Sequence, residues 1–146
     1  MNKIALVFLL CGFCWNHAQA SNPQIRDCNL TQGTVHLVTV DSAAVQGQQL
    51  LLCAYNTGSQ IDGVTLTGLP DYSTLAFSTL QSNPNGSDCA SQGGETLVGQ
   101  TLNGPGTVSL CVFSDGSAVT SKALQAGLSS ALNAQLSAAF STLSHR

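Results

Sequence analysis

Residues 107–113 (TVSLCVF) set Val108, Leu110 and Val112 on one side of an extended chain and Ser109, Cys111 and Phe113 on the other, the two-residue period of a β-strand. Upstream, TLV at 96–98 predicts its partner strand, and NGPG at 103–106 holds two turn-forming dipeptides between them, so the pair reads as a hairpin. TVHLVTV (34–40) and LLLCAY (50–55), joined by DSAAVQGQQ, predict a second hairpin. The unbroken apolar runs in these strands imply cover on both faces. NTGS (56–59) and SDGS (114–117) predict further turns, with Gly58 and Gly116 free to take positive φ. Beyond the first of these turns VTLTGL (64–69) predicts another strand, and QSNPNGS (81–87) a linker. The period changes near the C-terminus. Leu124, Leu128, Leu132, Leu136 and Phe140 recur every four residues, followed by Leu143. This predicts one long amphipathic helix from about Ser121 to Leu143, packed on the sheets by its apolar stripe.

The hydrophobic pattern is written twice. LCAYNTGSQI at 52–61 is echoed by LCVFSDGSAV at 110–119, and DCNLTQG at 27–33 by DCASQGG at 88–94. The first cysteines of each copy are separated by 61 residues (89 − 28) and the second by 58 (111 − 53). Two similar blocks, in the same order and at nearly the same spacing, predict two copies of one supersecondary unit. The expected fold is therefore α+β and mainly β: two tandem, disulfide-stapled β-hairpin units followed by the long C-terminal amphipathic helix. The units divide as residues 21–80, a degenerate first hairpin repeat, and 81–146, the second repeat with the helix.

Residues 1–20 stand apart. Lys3, an apolar stretch over 4–14 and the small-x-small triplet Ala18-Gln19-Ala20 predict a secretory signal peptide cleaved between Ala20 and Ser21. Lipidation at Cys11 or Cys14 is disfavoured by the bulky Leu10 and Phe13 directly before them. The remaining chain carries Arg26, Lys122 and Arg146 against seven acids, a net charge of 3 − 7 = −4. The lack of a basic patch argues against nucleic acid as a partner and against attraction to anionic lipid. Nothing after the signal is long and apolar enough to span a bilayer. Cys28, Cys53, Cys89 and Cys111 remain, an even number in an exported chain, which reads as two disulfides with three possible pairings. If each unit carries its own staple, the bonds are Cys28–Cys53 and Cys89–Cys111.

Asn83-Pro84, Cys89, Gln92-Gly93-Gly94, Cys111, Phe113 and Asp115-Gly116-Ser117 together resemble the bacterial domain of unknown function 333, a family of small exported domains often labelled haemolysins. The resemblance covers 83 to about 120, with a weaker shadow over 27–61. The chain departs from that pattern in having Ser114 at the turn proline and no Trp after the signal. The resemblance carries over no catalytic residue.

Chemistry-bearing groups are few. His36 lies in a strand pattern and His145 beside the terminus, so neither pairs with an obvious nucleophile. The acids Asp27, Asp41, Asp62, Asp71, Asp88, Glu95 and Asp115 sit mostly in predicted turns, where a carboxylate caps local backbone; Asp27 and Asp88, each beside a cysteine, could together hold a cation. No pair of cysteines has a zinc-knuckle spacing and no phosphate loop is present. No catalytic residue, cofactor or metal ligand is assigned. The sequence predicts an exported, secreted or periplasmic, non-enzymatic binding or structural module whose partner is a protein or envelope ligand. The alternatives are a protease-inhibitor-like module presenting loop 41–48 or 99–106, a membrane-active haemolysin-like protein, and a hydrolase with an unrecognised site.

Overall fold

A computed structural model describes residues 22–42 and 46–146; the predicted signal peptide and its Ala20–Ser21 cleavage site lie outside the described residues. The chain forms α1 (Pro23–Leu30), β1 (Thr34–Val40), β2 (Gln48–Ala54), β3 (Gln60–Asp62), α2 (Gly63–Gly68), α3 (Leu75–Ser82), β4 (Glu95–Thr101), β5 (Thr107–Val112), β6 (Ala118–Thr120), α4 (Ser121–Ala126) and α5 (Ala134–Ser144). Six antiparallel strands close into a barrel in the order β1-β2-β3-β6-β5-β4. The expectation of two tandem hairpins followed by a long helix is overturned. Each hairpin gains a short third strand after its NTGS or SDGS turn, and the two three-stranded sheets join along both edges, β1 to β4 and β3 to β6. Closure leaves no sheet edge running the length of the molecule.

Both seams pair equivalent residues. At one, Thr39 faces Gln100, 61 positions later, the same offset that relates Cys28 to Cys89. At the other, Ile61 faces Val119, 58 positions later, the offset of Cys53 and Cys111. An approximate two-fold axis therefore crosses the barrel through these two pairs and exchanges its ends. The side-chain bonds beside the second pair obey it too: Ala118 N–H donates to Asp62 Oδ2 at 2.8 Å and Gln60 N–H to Thr120 Oγ1 at 3.4 Å.

Two cores result. Val38, Val40, Leu50, Leu52, Leu110 and Ala118 fill the lumen. Ile61, Leu66, Leu80, Val119, Leu124, Leu136, Phe140 and Leu143, with both disulfides, form a layer between the outer face of the barrel and the helices. β2 and β5 are thus covered on both sides, which is why their apolar runs are continuous. The lumen is too narrow for a symmetric lining. Gly99 occupies the place equivalent to Val38, and a Cβ there would fall on the Val38 Cγ1.

Cys28 is bonded to Cys53 and Cys89 to Cys111, with Cα separations of 5.4 and 5.6 Å. Gly33 and Gly94 lie directly against these bridges, and a Cβ on either would collide with a cysteine Sγ. The repeated Gln-Gly is a packing requirement of the staple.

Two predicted elements are corrected. VTLTGL is helix α2, because Asp62 ends β3 after three residues and caps a helix, its Oδ1 accepting from Thr65 N–H at 2.9 Å. The long C-terminal helix is two helices. Gly127 breaks it with φ 74° and ψ 161°, a conformation open essentially to glycine alone. Its missing Cβ makes room for the backbone of Pro84, Asn85 and Gly86 in the linker. Ser129 N–H then donates to Pro84 O at 2.8 Å, and the buried Asn133 side chain donates to Ala123 O and Gly127 O, both at 2.8 Å. The leucine stripe runs unbroken through the sequence because both helices face the same core.

Candidate functional site

The ends of a two-fold barrel should match, and here they differ. Antiparallel pairing alternates, so every second residue turns both backbone groups toward a given neighbour. On β1, Thr39 and Leu37 turn theirs toward β4. Past the last ladder pair, Val38–Thr101, the chain keeps Leu37 occupied. Leu102 N–H donates to Leu37 O at 2.8 Å, Leu37 N–H donates to Asn103 Oδ1 at 2.9 Å, and Asn103 Nδ2 donates to Val35 O at 3.1 Å. The β4–β5 loop therefore closes that end as an improvised strand. The same bonds consume the Leu102 N–H in loop 99–106.

At the opposite end the residue equivalent to Leu37 is Val98. The β1–β4 ladder stops at Val40–Gly99, and the Asp41 Oδ1 accepts Gly47 N–H at 2.7 Å. Val98 is 61% exposed. Beside it opens a cleft of about 350 Å3 between Gln48, Gly93, Gly94, Glu95, Leu97, Val112, Phe113 and Ser114. Leu97, Val112 and Phe113 give an apolar floor. Ser42, Gln48, Ser114 and Glu95 give a polar wall, and Glu95 is the only charge among the described lining residues. Gly93 and Gly116 both have positive φ with nothing within 4 Å of where a Cβ would stand, so backbone rather than side chain lines much of the rim. The volume is within the usual range of ligand clefts.

A smaller depression of about 160 Å3 lies between Leu30, Thr31, Gln32 and Gln135, Ala138, Ala139 and Thr142 of α5. Its wall is structural. Thr31 Oγ1 lies 2.9 Å from the buried Tyr55 hydroxyl, whose pKa burial pushes up against the opposing Thr31 bond. Next to it the fully buried Asp27 accepts from Arg26 Nε at 2.8 Å and from the Arg146 guanidinium at 3.1 Å. Burial works against the Asp27 charge, but the two guanidinium hydrogen bonds outweigh it and hold the carboxyl below its usual range.

The sequence-predicted groups are scattered. The four cysteines are buried in their bridges. His36 is half-buried in β1 and His145 is exposed after α5. Asp27 is ion-paired, whereas the exposed Asp88 accepts from Ser91 N–H at 3.1 Å. Asp62 and Asp115 bind the units together. Burial pushes the Asp62 pKa up, against bonds from Ala118 and Thr65 N–H and the Thr65 hydroxyl. Asp115 also suffers burial, but accepts from Leu75 N–H at 2.8 Å and from Ser117 N–H and Oγ, and its pKa falls. Each unit's second turn reaches the other unit's helix: Asp115 binds the start of α3, and Thr57 N–H donates to Gln135 Oε1 of α5 at 3.0 Å.

Sequence reading passed over the cleft. Its one signal was the contrast between Gly93-Gly94-Glu95 and the equivalent Gln32-Gly33-Thr34. Among the described residues no helix is long and apolar enough to cross a membrane, and no cluster of three metal-ligating side chains occurs. No family model, curated protein or solved structure matches this chain.

Proposed function

We propose that this chain is an exported, non-enzymatic binding module, secreted or periplasmic, that holds a ligand in the cleft at the Glu95 end of its barrel. The observation that carries the reading is the unequal treatment of the two ends: one is closed by Asn103, while the other keeps a cleft with an apolar floor and a polar rim. Two buried disulfides suit an oxidising compartment. The likeness to the domain of unknown function 333 fits a small exported module and adds no chemistry. One carboxylate and no imidazole among the cleft residues favour binding over hydrolysis. A membrane-active role would need a spare apolar helix face, but Leu124, Leu136, Phe140 and Leu143 are spent on the core. An inhibitory loop at 99–106 would need free backbone donors, and Leu102 has given its own to β1.

The test is affinity enrichment from culture fluid with the wild-type protein and with Ser114→Trp, which places a large ring over the cleft from an exposed position. A component retained by the wild type and lost from a variant with unchanged circular dichroism supports the reading. Equal retention by both, or none by either, overturns it.

A further inference from the structure

Resting on the reading of this chain as exported, we propose that Asn29 is an N-glycosylation site, its side-chain amide receiving an oligosaccharide from a lipid-linked diphosphate donor before the first unit folds. Asn-x-Ser/Thr, with x other than proline, is the acceptor triplet of that transfer, and it occurs twice, as Asn29-Leu30-Thr31 and Asn85-Gly86-Ser87. The two triplets differ. A bacterial transferase also reads an acid two positions before the asparagine, where Asn29 has Asp27 and Asn85 has Asn83. Both asparagines are exposed, so the fold has room for a glycan at either, and the flanking sequence selects the first. In the reaction the Asn29 Nδ2 displaces the lipid diphosphate from C1 of the first sugar. One C–N bond forms, one C–O bond breaks, the diphosphate leaves with the electron pair, and the amide proton passes to solvent.

The surroundings of Asn29 suit a covering sugar. Asn29 lies one turn after Ile25 on α1, on the same side of the helix, and directly before Leu30. These two apolar side chains are 39% and 58% exposed, a surface that a bulky hydrophilic group would shield. The depression of about 160 Å3 against α5 begins at Leu30, and Gln32, Gln135 and Thr142 line it with amide and hydroxyl groups, the partners that sugar hydroxyls take. The finished fold also withdraws the triplet. Thr31 Oγ1 lies 2.9 Å from Asp27 O, 3.0 Å from Cys28 O and 2.9 Å from the Tyr55 hydroxyl, and Gln32 N–H donates to Asn29 O at 3.0 Å. A transferase binds the triplet hydroxyl on an extended backbone, so transfer belongs to the chain before Cys28 joins Cys53.

The test is peptide mapping by mass spectrometry on the full chain isolated from the periplasm or culture fluid of its own host, with Asn29→Gln, Asn85→Gln and Thr31→Ser beside the wild type. The expected result is an oligosaccharide on the peptide containing Asn29 and none on the peptide containing Asn85. Asn29→Gln should lose that mass with unchanged circular dichroism, while Asn85→Gln and Thr31→Ser keep it. Given lipid-linked oligosaccharide and a bacterial oligosaccharyltransferase, the disulfide-bonded protein should accept severalfold more slowly than the same chain reduced. An exported protein with a bare Asn29, or with sugar on Asn85 alone, overturns the proposal and leaves the reading of export standing. A chain found only in the cytoplasm overturns both. Equal transfer to the bonded and reduced forms overturns the order of transfer before folding.

Discussion

At the residue scale, the pseudo-two-fold axis makes each position a control for its equivalent. Gln32 has φ 64° and is the one positive-φ residue other than glycine among those described, while its equivalent Gly93 has φ 78°. The left-handed conformation costs a residue with a Cβ roughly 1–2 kcal/mol, and the added freedom of glycine in the unfolded chain returns about half of that. Gln32→Gly should therefore raise stability by about 0.5 kcal/mol, and Gly93→Ala, subject to the same two opposing effects, should lower it by about 0.5 kcal/mol. Urea unfolding at constant m-value measures both. The neighbouring glycines obey different physics. Gly33→Ala and Gly94→Ala would drive a methyl into a disulfide sulfur and should cost several times more.

At the element scale, local pattern reported strands well and helices poorly. β1 coincides with the predicted 34–40, and the hairpins and their turns fall where alternation and Asn-Gly, Pro-Gly and Asp-Gly signals place them. Helix α1 was missed because its stretch is polar on most sides and only Asp27 and Cys28 are buried. Helix α2 was misread because Val64, Thr65 and Thr67 favour strands, and the capping bonds of Asp62 override that preference. The C-terminal stripe was real, but period alone does not reveal a break when both halves face one core. What decides the break is contact with a linker forty residues earlier, which no local signal contains. Closure of the barrel and the mouth cleft were illegible for the same reason: both depend on seams between segments far apart in sequence. Gly127→Ala tests the account of the break. The variant combines a forbidden torsion with a clash against backbone atoms that have no rotamer to yield, and a loss of about 3 kcal/mol is expected. A loss below about 1 kcal/mol in a thermal or urea melt would show that the linker does not need that space.

At the scale of the whole molecule, the two units share one lumen and exchange turn-to-helix contacts, so they should unfold together. Each disulfide closes a loop of 25 or 22 residues, for which the chain-entropy model gives about 3 kcal/mol. Replacing either pair by alanines should lower stability by about that amount and leave a single transition by calorimetry. Two separated transitions would mean that the units are independent bodies.

The carboxylates that tie the molecule together give its stability a non-monotonic pH dependence. Asp27 and Asp115 have folded pKa values below the ordinary 3.8. Their contribution is complete above that value and is lost as pH falls through the folded values. Asp62 has the opposite sign. Its folded pKa is raised above 3.8, so the native state binds the extra proton, and its contribution is complete below 3.8 and lost as pH rises through the folded value. On acidification from neutrality the urea midpoint should therefore rise slightly, pass a maximum at weakly acid pH, and fall once Asp27 and Asp115 protonate. Removing Arg146 takes one of two guanidiniums from a carboxyl with no exposure and should cost about 1 kcal/mol at neutral pH. The same deletion should move the acid limb toward higher pH, because a less stabilised Asp27 charge is lost sooner. Asp115→Ala should instead lower the neutral plateau and shrink the acid limb, since the variant has one fewer proton to gain. A midpoint that falls steadily from neutral to acid pH, or an acid limb unmoved by both changes, would mean that other groups govern the response and that the contacts from α1 to Arg146 and from the Asp115 turn to α3 do not hold the units together.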